Sequence, residues 1–303
     1  MGKSNKEADM NGVAHAQTRA TPAPIGVFDS GIGGLTVLRE LLRELPDERY
    51  IYFGDTGNCP YGTRPNAEIE RLALNAAKFL IGRGAKAIVV ACNTASVRAR
   101  EYLRDIYPTI PFVVVVPAVK PAAEQTRNGR IGVAATPASA RSAYLRTLIA
   151  EHASNAHVLP VGCPHLVELA ERGILDGPIV EQAILAELAP LVAADIDTLV
   201  LGCTHFPAQR AAFQRVMGPG VAVIDSGAAV ARRTRTVLER AGLLANPNSG
   251  PAVEPRAVRP DDEFWRSGAA DNLERVATAL LGPVPPVQFA EGMLLEPVAG
   301  SRV

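Results

Sequence analysis

The chain is 303 residues long, more than most single domains, and its 48% hydrophobic content describes a folded protein with ample core. Its 31 basic residues balance 31 acidic ones, which argues against a nucleic-acid-binding surface spread over the molecule. No stretch approaches the roughly 18 uninterrupted apolar residues that span a membrane. The polar segment from Met1 to Pro24 lacks the apolar run of a secretory signal, and Lys6 stands where a myristoylation signal wants Ser or Thr. A cytoplasmic setting is expected, with no membrane partner and with four cysteines present as thiols rather than disulfides.

In chain order, residues 1–24 read as a flexible extension, and from Ile25 apolar runs alternate with amphipathic stretches. Strands are expected at Ile25–Phe28, Tyr50–Phe53, Ala87–Ala91, Phe112–Val116, Ile131–Ala134, Thr198–Leu201 and Val221–Ile224. Helical patterns lie between them at Thr36–Glu44, Ala67–Gly82, Ala138–Glu151 and Pro178–Val192. Ala245–Asp262 reads as loop, a last helix falls at about Asp271–Leu281, and a Pro-rich tail follows. Strand–helix alternation of this kind predicts α/β architecture built on parallel sheet.

The chain repeats itself. Ile25-Gly26-Val27 opens one strand, Cys59-Pro60 comes 34 residues after Ile25, and Cys92-Asn93-Thr94 follows a third element. Ile131-Gly132-Val133 opens another, Cys163-Pro164 comes 32 residues after Ile131, and Cys203-Thr204-His205 closes the series. Three landmarks in one order argue for a duplicated domain, with the halves related by a pseudo-twofold axis. Asp225-Ser226-Gly227 repeats Asp29-Ser30-Gly31 outside that register, so the chain is expected to return to the first unit after Ile224. The expected domains are 25–115 plus 226–282, and 116–225, with 283–303 as a tail.

Open parallel sheets bind ligands beyond the carboxyl ends of their strands. The segments there are Asp29–Gly34, Asn58–Gly62, Cys92–Ser96, Thr136–Ser139 and Cys203–Phe206. The glycine-rich turn after Asp29 could cradle an anion or simply turn tightly; it has neither dinucleotide nor P-loop spacing. A buried cysteine at a strand end is usually a small hydrophobe. Cys92 and Cys203, however, each precede polar residues that are expected to open a helix, where the dipole favours a thiolate. Cys59 and Cys163 precede proline and lack such a start. Two thiols facing each other across a cleft suit inversion of a stereocentre, which needs a base on one face and an acid on the other. Cys163-Pro164-His165 with Cys203-Thr204-His205 offers zinc-type ligands, but at spacings zinc sites rarely use, so no metal is expected. His205 is a relay partner for Cys203 or a cap. Asp29 plays the corresponding part near Cys92, or caps the following helix.

At these residues the sequence resembles glutamate racemase, from Ile25 to about Gly282. The phrases are GVFDSGIGGLTVL from Gly26, YFGDTGNCPYG from Tyr52, ACNTAS from Ala91, GVAATP from Gly132, LGCTHFP from Leu201 and IDSG from Ile224. The resemblance implies two flavodoxin-like (Rossmann-like) parallel-sheet domains with the active site in the cleft between them. It implies interconversion of L- and D-glutamate without a cofactor, supplying peptidoglycan. Carried over by motif, Cys92 acts on the D-glutamate side with Asp29, and Cys203 on the L-glutamate side with His205 and Glu171. Substrate contacts fall on Ser30, Tyr61, Gly62, Asn93, Thr94, Thr136 and Thr204. Glu168 brings charge where relatives are apolar, Ser139 replaces a threonine but keeps its hydroxyl, and Phe206 stands where tyrosine is usual. The extension resembles that of members depending on a cell-wall precursor, so such an effector and a homodimer are further expected partners. An aspartate racemase of the same superfamily and a two-lobed amino-acid-binding protein are the rival readings.

Overall fold

A computed structural model describes residues 22–268 and 272–293. Most of the expected extension, Asp271 of the expected last helix and the end of the tail lie outside the described residues. The chain runs β1 (Ile25–Asp29), α1 (Leu35–Glu44), β2 (Tyr50–Gly54), α2 (Asn66–Gly82), β3 (Ala87–Val90), α3 (Asn93–Ile106) and β4 (Phe112–Val114). It continues through α4 (Val119–Gln125), β5 (Arg130–Ala135), α5 (Pro137–Ala140), α6 (Ala143–His152), β6 (His157–Gly162), α7 (Pro164–Glu171), α8 (Pro178–Glu187) and α9 (Ala189–Ala193). The remainder is β7 (Thr198–Leu201), α10 (Arg210–Met217), β8 (Ala222–Ile224), α11 (Gly227–Ala241), β9 (Glu263–Arg266), α12 (Asn272–Leu281) and β10 (Gln288–Phe289).

Two parallel sheets result, ordered β10-β9-β2-β1-β3-β4 and β6-β5-β7-β8. The duplication seen in the sequence is thus a repeated strand order, with the second strand of each half beside the first and the third on its other side. In this winding the chain reverses direction between β1 and β3, and between β5 and β7, which opens a crevice at their carboxyl ends. Cys92 follows β3 and Cys203 follows β7, so both thiols stand at those reversals.

Helices cover both faces of each sheet. In α1 the residues Leu35, Leu38, Leu41 and Leu42 follow helical spacing and are all buried against β1 and β2. Burying one such leucine contributes roughly 1.5–3 kcal/mol, so the helix is pinned and with it the Asp29–Gly34 turn. After β8, α11 packs Val230, Ala231 and Leu238 into the same core as α1, returning the chain to the first sheet. Ser226 ties the two crossovers together, donating to the Val116 carbonyl at 2.5 Å.

Several elements differ from expectation, among them β10, which the expected tail adds to the first sheet beside β9, and four others depart for local reasons. The helix expected at Ala138–Glu151 is two, because the Ser142 hydroxyl caps a fresh start by accepting the Leu145 N–H at 3.1 Å. The one expected at Pro178–Val192 breaks at Leu188, where Pro190 lacks an N–H to continue it. The unforeseen β6 contains Pro160, tolerated because β6 is an edge strand. The unforeseen β9, Glu-Phe-Trp-Arg, hides its strand character behind end charges; Glu263 is paired with Arg49 and Arg83.

Candidate active site

On the first lobe, Cys92 closes β3 and occupies the N-cap of α3, almost fully buried. Its thiol donates to Ser30 Oγ at 3.4 Å, and the Ser30 hydroxyl donates to Asp29 Oδ1 at 3.5 Å. The hydroxyl therefore stands between the thiol and the carboxylate. Asp29 ends β1 with no exposed surface, and its Oδ2 accepts the Gly34 N–H at 2.7 Å at the start of α1. Capping and proximity to Cys92 are both present in one side chain. Burial raises the Asp29 carboxyl, against the pull of the His205 charge and the Gly34 N–H.

The helix start favours a thiolate at Cys92, but the rest of its surroundings opposes one. Burial, then the charge of Asp29, push the thiol up to about 12, outweighing hydrogen bonds from Ser30 and Ala95. Cys92 is a thiol at neutral pH. Cys203 does not cap an α-helix at all: it is followed by a tight turn and a 3-10 segment, Phe206–Gln209. Conversely Cys163, expected to lack a helix start, is the N-cap of α7.

On the second lobe, His205 Nδ1 lies 3.4 Å from Cys203 Sγ, and its Nε2 lies 2.5 Å from Glu171 Oε1. Its side chain makes no helix cap. Burial alone would lower the imidazole, but the charge at Cys203 and hydrogen bonds to Cys203 and Glu171 hold it well above its ordinary range. Burial alone would raise Glu171, but the His205 charge and hydrogen bond, the Ile32 N–H and the Cys59 thiol together lower it. An imidazolium between Cys203 and an ionised Glu171 follows.

The glycine-rich turn does hold anions, but they are the protein's own. Its Gly34 N–H serves Asp29, and its Ile32 N–H reaches across to Glu171 Oε1 at 3.2 Å. Absence of side chains is what allows the lobes this close: a Cβ on Gly31 would lie 2.0 Å from Glu171 Oε1, and one on Gly33 2.6 Å from Thr204 Oγ1.

Cys92 and Cys203 line one narrow cavity, with Asn93, Thr94, Thr204 and His205 around them. Ser30, Tyr61, Gly62 and Thr136 also line it, with Asp29 behind Ser30 and Glu171 behind His205. The Tyr61 hydroxyl is already engaged, donating to Asp55 Oδ2 at 2.5 Å, so Tyr61 offers the cavity its ring. Thr136 caps α5, its Oγ1 accepting the Ser139 N–H at 3.2 Å. Asn93 Oδ1 is a buried acceptor without a hydrogen-bond partner among the described residues, suited to an ammonium group entering the cavity. Among the described residues no group of three or more His, Cys, Asp or Glu is arranged to hold a metal ion. Sequence reasoning passed over Cys59 and Val167 as cavity residues; the place of Cys59 in the duplication was the available signal.

A family model described as Asp/Glu/Hydantoin racemase matches residues 25–234. The glutamate racemase of Herpetosiphon aurantiacus is 48% identical over 231 residues, 76% of this chain and 91% of its own. A glutamate racemase isoform from Bacillus anthracis superposes with a TM-score of 0.78 at 32% identity, over 91% of this chain and 100% of that one. Escherichia coli glutamate racemase, in complex with L-glutamate and the activator UDP-MurNAc-ala, superposes with a TM-score of 0.76 at 33% identity, over 88% and 98%.

Proposed function

The chain belongs to the glutamate racemase family, and from that premise we propose that it interconverts L- and D-glutamate by proton transfer at the α-carbon. The observation carrying this reading is the pair of buried thiols, Cys92 and Cys203, supplied by equivalent strand ends to one cavity. In the L-to-D direction the Cys203 proton has passed to His205, and the thiolate takes the α-proton. The electron pair of the broken C–H bond delocalises into the substrate carboxylate. Cys92 then gives its S–H proton to the opposite face. D-glutamate leaves with Cys203 as thiol and Cys92 as thiolate, and exchange through His205 and through Ser30 and Asp29 resets the pair. Desolvation and the N–H groups at the start of α3 stabilise the developing charge. We read residues 25–115 plus 226–282 and residues 116–225 as the two lobes, and the cytoplasmic supply of D-glutamate for peptidoglycan as the role.

Incubation with L-glutamate or L-aspartate in D₂O without added cofactor tests this. Expected are α-deuterium and decay of optical rotation for glutamate. The same outcome for aspartate alone would reassign the substrate, and neither in folded protein would remove the racemase reading.

A further inference from the structure

Glu171 is the last residue of α7, so the way that helix ends decides where its carboxylate lies. The end is a Schellman turn. The Ile174 N–H donates to the Leu169 carbonyl at 2.8 Å and the Gly173 N–H to the Ala170 carbonyl at 2.7 Å, with Gly173 at a φ of 68°. That closure leaves the carbonyls of Glu171, Arg172 and Gly173 without a donor from their own helix. All three are taken by α12 of the first lobe. Asn272 Nδ2 donates to the Glu171 carbonyl at 3.0 Å, Arg275 Nη2 to that of Arg172 at 2.5 Å, and Arg275 Nη1 to that of Gly173 at 3.2 Å. Asn272 Oδ1 in turn accepts from Arg275 Nη2 at 2.9 Å, which orients the guanidinium. A Cβ on Gly173 would overlap that guanidinium. Beyond the turn, Leu175 packs against the first-lobe core to which α12 gives Leu273, Val276 and Ala277. Residues 171–175 are therefore a strap from the second lobe laid on the first, and at its start Glu171 Oε1 meets the Ile32 N–H and His205 Nε2.

We propose that Asn272 and Arg275 are positioning residues for the Cys203 side of the reaction: by anchoring the end of α7 to the first lobe they hold Glu171 in line with His205 Nε2, and so His205 Nδ1 against Cys203. The inference rests on the racemase reading for its catalytic meaning, but the anchoring can be tested apart from turnover. The titratable groups facing His205 are Cys203 and Glu171 on its own lobe, and Asp29, Cys59, Tyr61 and Cys92 across the cavity. Drawing the Glu171 carboxylate away lowers the proton affinity of the imidazole. Loss of the Arg275 charge by itself would raise it, so the sign of the shift identifies the cause.

The test takes Asn272→Ala, Arg275→Met and the double variant, which lose donors, against Arg275→Lys, which keeps a cationic one. Two readouts are taken on the full chain: the ¹⁵N-imidazole titration of His205 by NMR, and kcat and KM against pH in each direction. The double variant should lower the His205 midpoint by about 1 pH unit, and each single variant by less. The alkaline limb of kcat/KM from D-glutamate should move down with it. Lys should return both toward the parent. If the double variant fails to fold, Arg275→Met against Arg275→Lys carries the comparison. An unmoved or raised midpoint, with or without a lower melting temperature, would overturn the proposal, as would a Lys variant shifted as far as Met. A parent enzyme without racemase activity whose variants still show the shift would instead retain the anchoring and refute the functional reading.

Discussion

Cys92 and Cys203 end equivalent strands of a duplicated fold, yet the groups behind them are not equivalent. Behind Cys92 stand a hydroxyl and a buried carboxylate, Ser30 and Asp29, and the thiol keeps its proton up to about 12. Behind Cys203 stand an imidazole and a carboxylate, His205 and Glu171, tuned to hold a proton taken from the thiol. Duplication makes the placement of two thiols symmetric, while a chiral substrate presents two different faces to them. The first side holds its proton on the thiol and the second holds one on the imidazole, so the two sides are chemically distinct.

The largest effect comes from removing either thiol. Cys92→Ala and Cys203→Ala should each lower racemisation by about 10³-fold or more, since a positioned acid or base contributes roughly 10²–10⁴-fold and its absence leaves one face unserved. The variants should still differ: Cys92→Ala retains slow deuterium exchange into L-glutamate without inversion, and Cys203→Ala into D-glutamate. Full activity in either would break the comparison at its root.

A smaller effect separates the helpers. His205→Asn should slow exchange starting from L-glutamate by about 10²-fold while affecting D-glutamate less, and Asp29→Asn should show the reverse preference. The pH profile carries the sign. His205 is held above its usual 6.5, so the imidazolium survives neutrality, and activity from D-glutamate, which needs the proton stored on that side, falls as pH rises through the raised value. His205→Asn should erase that alkaline limb. Equal losses in both directions from both variants would mean the helpers are not assigned to separate sides.

How much of this was legible beforehand follows from what sequence encodes locally. Strand ends, the glycine turn and the thiols carry local signatures, so β1, β3, β5 and β7, the four strands that frame the cavity, were readable from apolar runs. The strand order was readable only through the repeat. What was hidden depends on burial and on contacts between distant segments. Cys92 caps a helix, as its polar successors suggested, but its protonation is decided by desolvation and by Asp29, which lies 63 positions away. Tyr61 was readable as a substrate contact by motif, whereas the engagement of its hydroxyl by Asp55 depends on the turn after β2. Cys59 precedes proline in a pattern shared with Cys163, and nothing local distinguishes a thiol lining the cavity from one facing a core. Pro160 concealed the edge strand β6, and charged ends concealed β9, which lies between β2 and β10; pairing in three dimensions supplies both.

The smallest effect is also the most specific to one side. Gly31 lies on the first lobe, but a methyl there would sit 2.0 Å from Glu171 Oε1 and 2.8 Å from Cδ, distances no real Cβ adopts. Gly31→Ala must therefore swing the carboxylate away from the Ile32 N–H and from His205 Nε2, leaving the Cys92–Ser30–Asp29 chain in place. Overpacking of this kind costs about 1–3 kcal/mol, which a melting curve reads, and Gly82→Ala, where a Cβ meets nothing within 4 Å, is the neutral control. With the carboxylate displaced, kcat/KM from L-glutamate should fall by roughly tenfold, less than the loss of a full acid–base group. The D-glutamate value should fall less. Equal loss in both directions would show that Gly31 governs how closely the lobes approach rather than where Glu171 points, and the separation of the two sides would then rest on His205 alone.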